Sequence, residues 1–145
     1  MVTMKVKSLF FDSPKVKRAV SKAKRREQSR AGAFIRTRAK SSIRTRKGYA
    51  PPGQPPHSHA GHLKRLIYFS YDPATGSVVV GPLRWAKGEA PSLLEHSGRA
   101  IRTQRRGRRR VRRRVFDRAR PFLGPALLAE LPNIPRRWRN AIRRN

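Results

Sequence analysis

The chain has no cysteine, so disulfides and thiolate metal sites are excluded, while nothing follows about compartment. Acidic residues are scarce. Seven Asp and Glu stand against 37 Lys and Arg, for a formal charge of +30 on 145 residues. Enzymes that work by general acid–base or metal chemistry draw on positioned carboxylates, and no two here form a convincing pair. No apolar run reaches the length of a membrane span. The N-terminus carries Lys5 and Lys7 without a long apolar stretch or small-residue cleavage site, so no signal peptide is expected. No repeat of solenoid length is present.

Other catalytic signatures are missing too. His96 and Ser97 are adjacent in sequence, which is not the spatial arrangement of a nucleophile and its base. Gly76 and Gly81 are not part of a phosphate loop followed by Lys and Ser or Thr. His57, His59 and His62 follow a His-x-His-x-x-His pattern, but no Cys or carboxylate lies close in sequence, and a polar loop entering a helical turn accounts for them better than a metal site. Asp117 beside Arg118 reads as a local ion pair or a cap. The expectation is a non-enzymatic protein without cofactor.

What the chain has is cationic charge, unevenly divided. Ten Lys lie between Lys5 and Lys87, and every later cation is Arg. Arg forks onto phosphate or carboxylate with paired bonds, whereas Lys offers a point charge. A compact domain of this charge repels itself, so a polyanion belongs beside it. Nucleic acid and an acidic protein surface are the two candidates.

The length fits one domain, residues 1–145. Val2, Met4 and Val6 alternate with polar residues as in a short strand. Asp12-Ser13-Pro14 is a helix start, since Ser or Asp caps and Pro fits the first turn. The spacing of Val16, Val20, Ala23, Ala31, Phe34, Ile35, Ala39 and Ile43 predicts one apolar stripe on a helix reaching about Arg46, bent or broken near Gly32. Such a helix spans roughly 50 Å. Residues 48–61 form a Pro-rich loop. Leu66 to Tyr71 and Ser77 to Gly81 are β-prone and flank Asp72-Pro73-Ala74-Thr75-Gly76, a turn sequence, so a hairpin is expected. Trp85 reads as a core or contact residue. Pro91 to Gly98 reads as a short helix closed by its glycine.

Arg99 to Arg114 holds ten Arg in sixteen residues. Ile101, Thr103, Val111 and Val115 suit two strands around a tip at Gly107, so a long hairpin or loop over 99–116 is expected, with plain disorder as the alternative. Arg102, Arg105, Arg106, Arg108, Arg109, Arg110, Arg112, Arg113 and Arg114 are the candidate contacts for nucleic acid or an acidic partner. Nothing resembles a base-reading helix, so contact with DNA would be to the backbone, sensitive to salt. Ala126 to Leu131 is a short apolar helix broken by Pro132 and Pro135. A last helix carries Trp138, Ala141 and Ile142 on one side and Arg136, Arg137, Arg139, Arg143 and Arg144 elsewhere.

The order of features also matters. Ala60-Gly61-His62-Leu63-Lys64-Arg65-Leu66-Ile67 resembles the "TG-x-L-(R/K)-x-S-I" stretch of the phage tail-completion, or head–tail joining, family of long-tailed bacteriophages, departing from it at Ala60 and Leu66. Val78 to Gly81 is similar to the family's "V-x-V-G", and Leu94-Glu95-His96-Ser97-Gly98 to its "hE-(F/H)-G" element. Ala119 to Leu127 resembles "(A/R)-x-P-F-h-x-P-A-h". The resemblance runs from about Pro14 to Ile142 and marks Gly61, Leu63, Gly81, Glu95, Gly98, Pro121, Phe122 and Pro125 as structural motif residues. It implies an α+β domain, with a long N-terminal helix packed on a small curved antiparallel sheet and short C-terminal helices. It further implies a virion protein of the neck or tail end, present in host cytoplasm during assembly. The implied assembly is a homo-oligomeric ring, hexamer or dodecamer, around the DNA path. Its neighbours would be portal- or adaptor-side proteins and a tail terminator or tail tube, with no membrane. Composition alone favours a basic nucleic-acid-binding protein of ribosomal or nucleoid type instead.

Overall fold

A computed structural model describes residues 13–83, 90–139 and 141. The predicted strand at Val2 to Val6, the Asp12 cap, Trp85, Ile142, Arg143 and Arg144 lie outside them. The architecture is α+β: a long N-terminal helix, two small antiparallel hairpins, and short C-terminal helices.

Helix α1 runs Ser13–Ser42, four residues short of the expected end and continuous through Gly32. Its buried face is Ala23, Glu27, Gly32, Ile35 and Ala39, and Ile43 follows just past its end. Val16 and Val20 are exposed, so the expected stripe is covered only from Ala23 onward, and Phe34 within that part is exposed as well. Periodicity identifies a face but not the length that a partner covers.

After the Pro-rich loop, α2 is a single turn, His62–Arg65. Strands β1 (Ile67–Asp72) and β2 (Ser77–Pro82) pair in register from Ile67↔Pro82 to Asp72↔Ser77. Asp72 makes the turn: its carboxylate accepts from the Ala74 N–H at 2.9 Å and the Thr75 hydroxyl at 2.7 Å, and the Thr75 bond, with Ala74, holds its pKa low. This hairpin lies against α1 with no room to spare. A Cβ on Gly32 would meet Val78 Cγ1 at 2.5 Å and Phe69 Cδ2 at 3.0 Å. Glycine therefore serves close approach here, not a bend. Cations of α1 are used in the contact. Arg36 donates through Nε to the Ile67 carbonyl at 2.9 Å, Arg36 and Lys40 both stand 5.6 Å from the Tyr68 ring, and Arg25 stands 5.8 Å from Tyr71, within the range of cation–π attraction.

Helix α3 spans Ala90–His96. The left-handed residue that ends it is Ser97, at φ 65, and not the expected Gly98, which opens β3 (Gly98–Arg106). Strand β4 (Arg109–Asp117) completes a second sheet separate from the first. Two sheets of two strands thus take the place of one. Helices α4 (Leu123–Glu130) and α5 (Asn133–Trp138) follow. The chain breaks at Leu131 and Pro132, while Pro135 sits within the first turn of α5, where a missing N–H is tolerated.

The core joins Ile35, Ala39, Ile43, Leu63, Ile67, Phe122 and Ala126. Beside it lies a buried ionic hub. Glu130 on α4 accepts from Arg38 of α1 at 2.8 Å and Arg137 of α5 at 2.8 Å. The Arg38 bond above all holds its carboxyl below the usual value, against desolvation by burial, with Arg137 and Asn133 adding to the effect. Arg137 also stacks on Phe34, 3.8 Å from the ring centroid. A second buried carboxylate, Glu27, accepts from Arg26 at 3.2 Å and Arg30 at 3.3 Å.

Candidate nucleic-acid interface

The Arg-rich segment is an antiparallel ribbon of two nine-residue strands, roughly 30 Å long at about 3.4 Å per residue. Its register runs from Gly98↔Asp117 to Arg106↔Arg109. Two residues make the turn. Gly107 has φ 57, and Arg108 is not among the positive-φ residues, as in the primed hairpin turn that takes Gly first.

The pairing register divides the arginines between two faces. Because opposed residues share a face and the side-chain period is two, one face holds Gly98, Ala100, Arg102, Gln104, Arg109, Val111, Arg113, Val115 and Asp117. The other holds Arg99, Ile101, Thr103, Arg105, Arg110, Arg112, Arg114 and Phe116.

The first face is turned inward at its base. Arg102 pairs with Asp117 on the neighbouring strand, and its guanidinium lies 5.1 Å from the Tyr49 ring. Asp117 is therefore bonded across the ribbon rather than to Arg118 as expected from adjacency. Ala100, Arg102 and Asp117 help line a cavity of about 560 Å³ shared with the 48–59 loop and α3. Val111 and Val115 are half-buried.

The second face is open. Arg99, Arg105, Arg110, Arg112 and Arg114 are exposed, and so are Ile101 at 62% and Phe116 at 65%. It carries no carboxylate. Like charges are directly opposed at Arg105↔Arg110, and on the other face at Arg102↔Arg113. Directly opposed like charges destabilise a strand pair. Of the other candidate contacts, Arg108 is exposed at the turn, and Arg109 and Arg113 are exposed on the first face.

The base of the ribbon is tied to the core by a carboxylate. Glu95, near the end of α3, accepts from the N–H groups of Phe122 (3.0 Å), Leu123 (3.1 Å) and Gly124 (2.6 Å). A helix start leaves its first N–H donors without partners. Here three are taken by Glu95, and the next residue, Pro125, has none to offer. The anion also sits at the positive end of α4. Phe122, 1% exposed, is thereby fixed in the core. The strand leaving the ribbon is held as well. The Arg120 N–H donates to the Leu94 carbonyl at 2.6 Å, Arg120 Nε to the Ala50 carbonyl at 2.6 Å, and the Gly53 N–H to the Ala119 carbonyl at 2.9 Å.

Other motif residues have local roles. Gly61 is the N-cap of α2 at φ 72, Leu63 is buried, and Gly81 pairs with Tyr68. A Cβ on Gly98 would meet Leu93 Cδ2 at 2.6 Å. Pro121 is half-buried. In the histidine loop, His59 Nε2 accepts from the Gly48 N–H at 3.1 Å, and the backbones of His57 and Arg44 pair in an isolated parallel bridge. Among the described residues no group of three or more His, Cys, Asp or Glu is placed to hold a metal, and no helix is long and apolar enough to cross a membrane.

Sequence reasoning missed the capping role of Glu95, the buried Glu27 and Glu130, and the part played by Tyr49 and Arg120. A carboxylate isolated among cations was the available signal for the first three. Comparison with protein-family models, with curated proteins and with solved structures returns no match to this chain.

Proposed function

We propose that this chain is a structural, non-enzymatic protein of the neck or tail end of a long-tailed bacteriophage. In this reading it assembles as a ring between the capsid connector and the tail tube, around the DNA path. The observation that carries it is the Glu95 cap. Two strings of the family resemblance, Leu94 to Gly98 and Ala119 to Leu127, are joined by three hydrogen bonds between their own residues. Motifs linked in this way depend on each other, which supports reading them as one inherited unit. The absence of catalysis has support of its own. Each of the five described carboxylates, Glu27, Asp72, Glu95, Asp117 and Glu130, is engaged in a bond that serves the fold.

The test is assembly. Purified protein viewed by negative stain is expected to form closed rings with a central hole, and to co-purify with tailed particles. A monomer that binds structured RNA tightly would overturn this reading. It would favour the second one, a basic nucleic-acid-binding protein, to which the directly opposed arginines of the ribbon lend weight.

A further inference from the structure

We propose that the two faces of the β3–β4 ribbon have different tasks, and that the outer face (Arg99, Arg105, Arg110, Arg112 and Arg114) is a contact surface for the backbone of double-stranded DNA. This deepens the neck-protein reading by naming the partner of its basic tract.

The outer face has four cross-strand rungs: Arg99↔Phe116, Ile101↔Arg114, Thr103↔Arg112 and Arg105↔Arg110. Every rung carries at least one Arg. Successive rungs are about 6.8 Å apart, about twice the 3.4 Å axial rise per phosphate on one DNA strand. That spacing leaves each rung free to reach a different phosphate. Across three of the rungs an Arg stands opposite Phe116, Ile101 or Thr103, so charge lies beside apolar surface, as phosphate lies beside sugar in a nucleic-acid strand. A purely carboxylate surface has no counterpart for the two exposed apolar side chains. Shape favours DNA over duplex RNA. A two-stranded ribbon fits the B-form major groove, about 12 Å wide, whereas the A-form major groove is too deep and narrow for side chains to read. The outer face lacks Asn and Gln, the side chains that pair with adenine, and Gln104 is on the inner one; contact to phosphate carries no sequence information, so duplex of any sequence is accepted.

The inner face is not equivalent. It holds an anion, Asp117, already bonded to Arg102, and its Arg102↔Arg113 rung lies between Ala100↔Val115 and Gln104↔Val111.

Three double variants, each removing two charges, separate these tasks: Arg112→Gln/Arg114→Gln on the outer face, Arg109→Gln/Arg113→Gln on the inner face, and Lys17→Gln/Lys22→Gln on α1. Binding of the full chain to a random-sequence 30-bp DNA duplex is read by fluorescence anisotropy across a salt series, with poly-glutamate as competitor. The outer variant is expected to lose about tenfold in affinity at moderate salt, and its salt slope to fall by about 1.8, for two phosphates. The other two variants stay within about threefold of the parent. Equal losses in all three would reduce the effect to bulk charge and overturn the assignment. So would an outer variant that keeps duplex affinity while losing poly-glutamate, which makes the partner an acidic protein. Ring formation by the same variants is scored separately. Rings with unaltered DNA binding count against this inference alone, and a failure of the parent to form rings counts against the neck-protein reading.

Discussion

Hairpin β1–β2 and hairpin β3–β4 are both antiparallel and both closed by a turn with a left-handed glycine, yet they are stabilised in different ways. The first is backed by α1, with Ile67 in the core and Gly32 allowing the helix to touch Val78 and Phe69. Its cations come from the helix and lie on its aromatic rings. The second has arginines where the first has an apolar face, and is fastened at its base. The first is held by burial, the second by backbone pairing and by an anchor that tolerates repulsion along its length. A strand pair can thus be kept in a shape that its side chains oppose, if its two ends are secured to a core elsewhere.

The sharpest way to break this comparison is to remove one apolar side chain from each hairpin. Ile67→Ala is expected to cost about 2–5 kcal/mol, as for a fully buried aliphatic, whereas Val111→Ala, half-exposed on the ribbon, should cost well under 1 kcal/mol. Urea denaturation of the two variants measures the difference, and similar losses would mean that the ribbon is packed more firmly than described.

Next is the anchor. Glu95→Gln keeps the size but removes the anion and one acceptor oxygen facing three N–H donors. A loss of about 1–3 kcal/mol is expected, with hydrogen exchange faster at the start of α4 than in β1–β2. Stability unchanged from the parent would show that the cap is not what fastens the ribbon.

Gly32→Ala has two opposed terms. Alanine favours the helix by about 1 kcal/mol, and the clash with Val78 costs about 1–3 kcal/mol. A net loss is expected, reversed when Val78→Ala is added. If Gly32→Ala alone stabilises the chain, the contact between α1 and the first hairpin is looser than 2.5 Å implies.

The smallest effect is expected in the ribbon. Arg110→Glu places an opposite charge across from Arg105 and should raise stability by a few tenths of a kcal/mol, measured as a small increase in melting temperature. The same change should weaken duplex binding, so stability and binding move in opposite directions here alone.

Much of this was legible in the sequence, for reasons that are local. Asp72 to Gly76 and Gly107 announce turns through the φ values they supply, and β-prone residues flank them. The apolar spacing of α1 identified a helix and its face. What was not legible depends on residues brought together from afar. Glu95 meets Phe122 across 27 positions, and Arg38 meets Glu130 across 92, and no local pattern announces either partner. Val16 and Val20 continue the apolar stripe but lie exposed, because spacing says nothing of what covers a face. Ser97 took the left-handed position expected of Gly98, a single-residue shift that turn chemistry does not resolve.

The Glu95 cap also has a mechanical meaning. A ribbon about 30 Å long is a lever, and any load applied at its tip pulls on both strands. The pull along β3 enters α3, reaches Glu95 and is taken up by three hydrogen bonds loaded together. The pull along β4 reaches Arg120, which grips Leu94 and Ala50. Both paths end on the segment that seats Phe122, so tension at the tip is shared by the core instead of peeling the hairpin open one rung at a time.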